Sequence, residues 1–169
     1  DEDLSIFDYV FCWLGNTNLI MSIIKLIEDK MNLEHDIKEA GVQMILLVED
    51  SIRFYSSILP NLYGYILQQS QNFSTEALNR HAANLRMRGR PKVVLARTYE
   101  EALGIYERYK NNCLGVISDV RFPYHSTKRS QIVGASASSL EKDPEAGFKL
   151  LEAIRREDEF LPLLMESSE

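Results

Sequence analysis

The feature that most constrains this chain is the run Cys113-Leu114-Gly115-Val116-Ile117-Ser118-Asp119, followed by Val120-Arg121-Phe122-Pro123. Apolar residues fall on both side-chain parities, so both faces of the strand need covering, as in a parallel sheet. The run ends in a lone carboxylate, and Pro123 stops regular structure four residues later. In open α/β sheets the working groups lie just past the carboxyl ends of the strands, which is where Asp119 falls. An aspartate opening a turn after a strand has the same local look. The remaining chain has to separate the two.

Further segments read as neighbours for that strand. Residues 42–48, 92–96 and 161–165 are short apolar runs, and the aromatic and β-branched run 6–14 is predicted as an N-terminal strand. Between them the period changes to that of helices. Leu19, Ile20, Ile23, Ile24, Ile27 and Met31 predict one buried stripe on a helix over 19–33, opposite Lys25, Glu28, Asp29 and Lys30. A second helix is predicted over 51–67, with a kink or break at Pro60. Thr98 with Glu101 forms a capping box for a third, and Asp143-Pro144 opens a fourth whose buried side is Phe148, Leu150, Leu151 and Ile154. Strands alternating with helices imply an α/β fold: a mostly parallel, doubly wound sheet.

Two connections stand apart. Residues 70–90 are polar and then basic, with a short helix predicted over 75–87; the cluster Arg86-Met87-Arg88-Gly89-Arg90 could meet an acidic partner, but reads first as a solvated helix end. Residues 124–142 are Ser-rich and aperiodic, and are predicted to be a mobile loop.

Composition removes several classes. The net charge of −6 over 169 residues argues against a generic nucleic-acid binder. No apolar run reaches the roughly 18 residues that span a bilayer, and an opening of Asp1-Glu2-Asp3 is unlike a signal peptide. Cys12 and Cys113 lie in apolar runs without metal spacing, so they read as reduced core residues of a cytoplasmic protein. Starting at Asp1 and stopping at Glu169 suggests a piece of something longer.

Three strand ends carry chemistry: Glu49-Asp50 after one, Asp119 after another, Ser167 after a third. In parallel neighbours these side chains share one rim. Clustered carboxylates repel, which raises the pKa of at least one, and a hard divalent cation relieves that penalty. Magnesium takes oxygen ligands and is often held by one or two carboxylates plus a phosphate. Taken singly, Glu49 and Asp50 could merely favour a helix N-terminus, for about 0.3–1 kcal/mol.

From about Val42 to Glu169 the chain resembles the response-regulator receiver domain. The resemblance rests on the acidic pair Glu49-Asp50, on Asp119-Val120-Arg121-Phe122-Pro123, on the helix start at Gly147, and on Leu161-Pro162 leading to Ser167. The wording of 46–57 and 115–123 is also similar to receiver modules attached to bacterial proteins related to phosphoenolpyruvate synthase. The resemblance implies a flavodoxin-like sheet of order 2-1-3-4; the edge then left open at strand 161–165 is one beside which the N-terminal strand 6–14 could pair, in the fifth position. It implies two-component phosphorelay signalling, in which Mg2+ is held by Glu49, Asp50, Asp119 and the Arg121 carbonyl. Asp119 would be the phosphoacceptor and Ser167 the switch hydroxyl. Implied partners are a histidine kinase or small phosphodonor and an output domain in the same longer chain, with neither membrane nor nucleic acid; a swap of strand 6–14 between two copies would give a homodimer. Residues 1–40 then form a strand–helix segment, from an upstream domain or replacing the missing fifth strand and helix, and 41–169 form the receiver. The family's lysine after its fifth strand has no counterpart.

Two rivals accompany that reading. A metal-dependent phosphatase or nuclease usually wants a second acid two residues after the first, and Arg121 occupies that place. His35, His81 and His125 form no Ser/His/Asp arrangement, which counts against this rival; the receiver resemblance implies a non-enzymatic role. The other rival is a degenerate receiver that only binds or regulates partners.

Overall fold

The computed structural model describes residues 7–75, 89–125 and 142–167. The helix expected over 75–87 and nearly all of the mobile loop expected over 124–142 lie outside the described residues.

The elements in chain order are α1 (Asn18–Ala40), β1 (Met44–Val48), α2 (Ile52–Thr75), β2 (Lys92–Ala96), α3 (Tyr99–Tyr109), β3 (Cys113–Asp119), β4 (Phe122–Pro123), β5 (Lys142–Asp143), α4 (Ala146–Glu157) and β6 (Leu163–Glu166). Four strands make one parallel sheet in the order β2-β1-β3-β6. β4 and β5 form a separate antiparallel ribbon. The architecture is α/β with helices on the sheet's faces, and is compatible with a flavodoxin-like fold. No helix among the described residues is long and apolar enough to cross a membrane.

Two cores follow from the two faces. One joins Met44, Leu46, Val48, Val116 and Phe122 to the inward sides of α3 and α4, including Tyr106, Leu150 and Ile154. The other joins Leu47, Val93 and Leu95 to Tyr55, Leu59, Tyr63 and Ile66 of α2, with Leu26 of α1. Alternate residues of β1 therefore enter different cores, which is why its sequence is apolar at every position.

Several local expectations change, among them Phe148, which is exposed rather than on the buried side of its helix. Helix α2 continues through Pro60 to Thr75, rather than breaking there or stopping near 67. α4 begins at Ala146 with Glu145 as its cap, while Asp143 belongs to the ribbon and accepts the Glu145 N–H at 2.9 Å. The buried positions of α1 are Leu19, Ser22, Leu26, Asp29 and Leu33, and Ile20, Ile24, Ile27 and Met31 are exposed. An apolar count cannot find that face, because Asp29 lies on it and is neutralised only by residues far away in sequence.

A further change is the N-terminal strand. Residues 7–16 contain no strand, so nothing from this segment pairs with β6, the last strand of the sheet among the described residues. Of the aromatic residues that suggested a strand, Tyr9 and Phe11 pack against the core that contains α2, while Phe7 and Trp13 are exposed. Phe11 meets Tyr55 edge-on with ring centroids 5.6 Å apart, Cys12 N–H donates to Ser56 Oγ at 3.0 Å, and Tyr55 OH donates to the Val10 carbonyl. α1 lies at the opposite side of the sheet, against α2 and β2. Its Asp29 accepts the Val93 N–H at 2.9 Å. That N–H points away from β1, so the helix covers an edge that would otherwise invite pairing.

Candidate metal centre

The register builds the site. Val48 is level with Ser118 and Asp119 with Glu166, so the residue after Val48, Glu49, comes level with Asp119. Glu49 N–H still donates to the Ala96 carbonyl at 3.0 Å, extending the sheet pairing by one residue and holding Glu49 at the rim. Asp50 follows in the link to α2.

Glu49, Asp50 and Asp119 each offer an oxygen, and these oxygens lie within 4.8 Å of one another. Glu49 is buried, and Asp50 and Asp119 are half-buried. Glu49 Oε1 accepts the Ser51 N–H at 2.8 Å, and Asp119 Oδ1 accepts the Val120 N–H at 2.7 Å. Those bonds orient the carboxylates without neutralising them. Burial, with Asp119 and Asp50 nearby, pushes the Glu49 carboxyl up to about 7, against the opposing pull of the Ser51 N–H and of Lys142. The Glu166 carboxyl is also raised, first by burial and then by Asp119. Such repulsion is what a shared cation would remove.

The start of α4 closes on this rim. Gly147 N–H donates to the Val120 carbonyl at 3.0 Å. A Cβ at position 147 would stand 2.2 Å from the Asp119 carbonyl oxygen, so only glycine lets the helix approach. The glycine noted in the sequence therefore touches the backbone of the candidate acceptor.

Of the residues singled out in the sequence, Glu49, Asp50 and Asp119 are brought together. Ser167 follows Glu166 at the carboxyl end of β6, with an exposed side chain. Arg121 lies in the link from β3 to β4, two residues past Asp119. Two members were not foreseen. Glu166 carries a signal that could have found it, since it ends a strand beside Asp119. Lys142 carries none: its Nζ lies 2.7 Å from Asp50 Oδ2 and donates to Oδ1 at 2.9 Å, across 92 residues of chain.

An all-oxygen, net-negative donor set suits a hard divalent cation such as Mg2+, which tolerates water in the remaining positions. A carboxylate beside such a cation can also act as a nucleophile toward phosphorus, because the cation screens the charge that otherwise repels a phosphate. The fold and this cluster define an α/β protein with a candidate metal centre at the strand ends. Comparison of the chain with family models, curated proteins and solved structures returned no match to any of them.

Proposed function

We propose that this chain is a phosphoacceptor signalling module of the receiver type, with a flavodoxin-like fold, in which Asp119 takes a phosphoryl group. The observation that carries the reading is the convergence of Glu49, Asp50 and Asp119 at adjacent strand ends. Glu49, Asp50, Asp119 and the Arg121 carbonyl would hold Mg2+, which supplies charge neutralisation for phosphoryl transfer.

The chain's own residues perform the rest. The Val120 N–H holds one Asp119 oxygen, leaving the other to attack. An Asp119 Oδ–P bond forms while the bond from phosphorus to the donor's leaving atom breaks, and that atom keeps the electron pair. The acyl phosphate carries about −1.5 to −2 charges in place of the carboxylate's −1, so the rim gains roughly −0.5 to −1. Ser167 is the hydroxyl assigned to meet it. A phosphorylated histidine kinase or small phosphodonor serves as donor, an output domain in a longer chain as receiver of the signal, and the bacterial cytoplasm as setting.

Incubation with acetyl phosphate and MgCl2 tests the reading. One phosphate per chain should be incorporated, and Asp119→Asn should abolish it. No incorporation by the wild-type chain refutes the phosphoacceptor role. That result would favour a binding-only, receiver-like module, a reading to which the Lys142–Asp50 pair lends weight because Asp50 already has a counter-charge.

A further inference from the structure

We propose that Lys142 is a tethered counter-ion of the acidic pocket, which a divalent cation must displace from Asp50 in order to bind. The inference rests on the metal-centre reading and extends it to a residue outside the ligand set.

Geometry makes the two cations exclusive. Lys142 Nζ lies 2.7 and 2.9 Å from the two Asp50 carboxylate oxygens, so one ammonium covers both. A divalent ion bound there would meet that ammonium at close range, and two like charges on one carboxylate repel. The lysine also bears on Glu49, where it opposes the rise in the carboxyl's pKa. A single positive charge against Glu49, Asp50 and Asp119 leaves the cluster net negative, so the pocket is partly neutralised rather than satisfied.

The backbone carrying Lys142 is anchored while the side chain stays free to leave. Lys142 pairs with Pro123 in the β4–β5 ribbon, beside the fully buried Phe122. Next to it, Asp143 accepts the Glu145 N–H at 2.9 Å and pairs with Lys149 at 2.7 Å. The ammonium therefore stays within reach of the pocket. The Lys142 side chain itself is 47% exposed, on a flexible four-carbon stem, and can swing into water. Displacement thus couples the occupancy of the strand ends to the ribbon that follows Asp119.

MgCl2 titrations by calorimetry, on wild type, Lys142→Met and Lys142→Gln, test this. Both variants should bind Mg2+ about fivefold more tightly, the equivalent of about 1 kcal/mol for a half-exposed ion pair. Lys110→Met removes a surface lysine that pairs with Glu157, and should leave the affinity within about twofold, which controls for net charge. In the wild type, the Lys142 side-chain resonances should shift along with the Asp50 amide as Mg2+ is added. Unchanged or weaker affinity in both Lys142 variants, or a Lys142 signal that stays still while Asp50 responds, overturns the tether and leaves the metal centre standing. Absence of Mg2+ binding in all three chains overturns both.

Discussion

Asp29 and Arg90, 61 residues apart, form a buried two-pronged ion pair, with guanidinium nitrogens 2.7 and 3.0 Å from the two carboxylate oxygens. The same carboxylate accepts Tyr63 OH and Val93 N–H, each at 2.9 Å, and Lys92 Nζ lies 3.7 Å away. One aspartate on α1 thereby ties together α2, β2 and the segment before β2. The Arg90 guanidinium, expected at a solvated helix end, is instead buried.

Removing that carboxylate should be among the most damaging single changes in the chain. Asp29→Ala leaves Arg90 buried without its counter-charge, a loss of about 3–5 kcal/mol. The paired replacement Asp29→Leu with Arg90→Met should recover much of it, because neither charge is then stranded. Urea denaturation of the three chains checks this. A double variant no more stable than Asp29→Ala would contradict the account.

Gly147→Ala should destabilise the fold by about 1–3 kcal/mol, since its Cβ meets backbone rather than a movable side chain. The shift needed to relieve the clash falls on Asp119 and Val120. Mg2+ affinity should therefore drop together with the melting temperature. A fully stable variant with unchanged Mg2+ binding would show that α4 can retreat without disturbing Asp119.

Glu49 makes stability depend on pH with a definite sign. Its folded-state pKa of about 7 exceeds the ordinary value of 4.5, so between those values the folded chain binds more protons than the unfolded one. Its contribution is present below pH 4.5 and is lost as pH rises through about 7, by up to about 3 kcal/mol. Mg2+ should reverse the loss, stabilising the chain more at pH 8 than at pH 5. Glu49→Gln should flatten this part of the profile. Thermal melts across pH with and without MgCl2 provide the comparison, and a Glu49→Gln profile that falls as steeply as the wild type's would be incompatible with this assignment.

Asp50→Ala removes a candidate ligand and the partner of Lys142 at once. Loss of groups that merely support a metal ligand costs about 10–100-fold in affinity at known sites, so Mg2+ binding here should weaken at least tenfold. Calorimetry reads it directly. Equal Mg2+ affinity in Asp50→Ala would remove Asp50 from the site.

The sequence by itself determined the alternation of strands and helices, because apolar periodicity is a local property that survives without knowing what packs where. It also determined that acidic residues terminate β1 and β3, and therefore that Glu49 and Asp119 gather wherever those strands are parallel neighbours. Tertiary structure decided what depends on contacts between distant parts of the chain. The run 7–14 has strand-like residues, yet Phe11 is taken up by Tyr55 on α2, Phe7 and Trp13 stay exposed, and the run forms no strand. The inward face of α1 includes an aspartate made tolerable by Arg90, Lys92, Tyr63 and the Val93 N–H, all distant in sequence. Lys142 reaches Asp50 because β5 pairs with β4 directly after Asp119, a placement that nothing around Lys142 in the sequence encodes. A charge is read locally as solvent-exposed, and only the fold supplies the distant partner that lets it be buried or brought into a site.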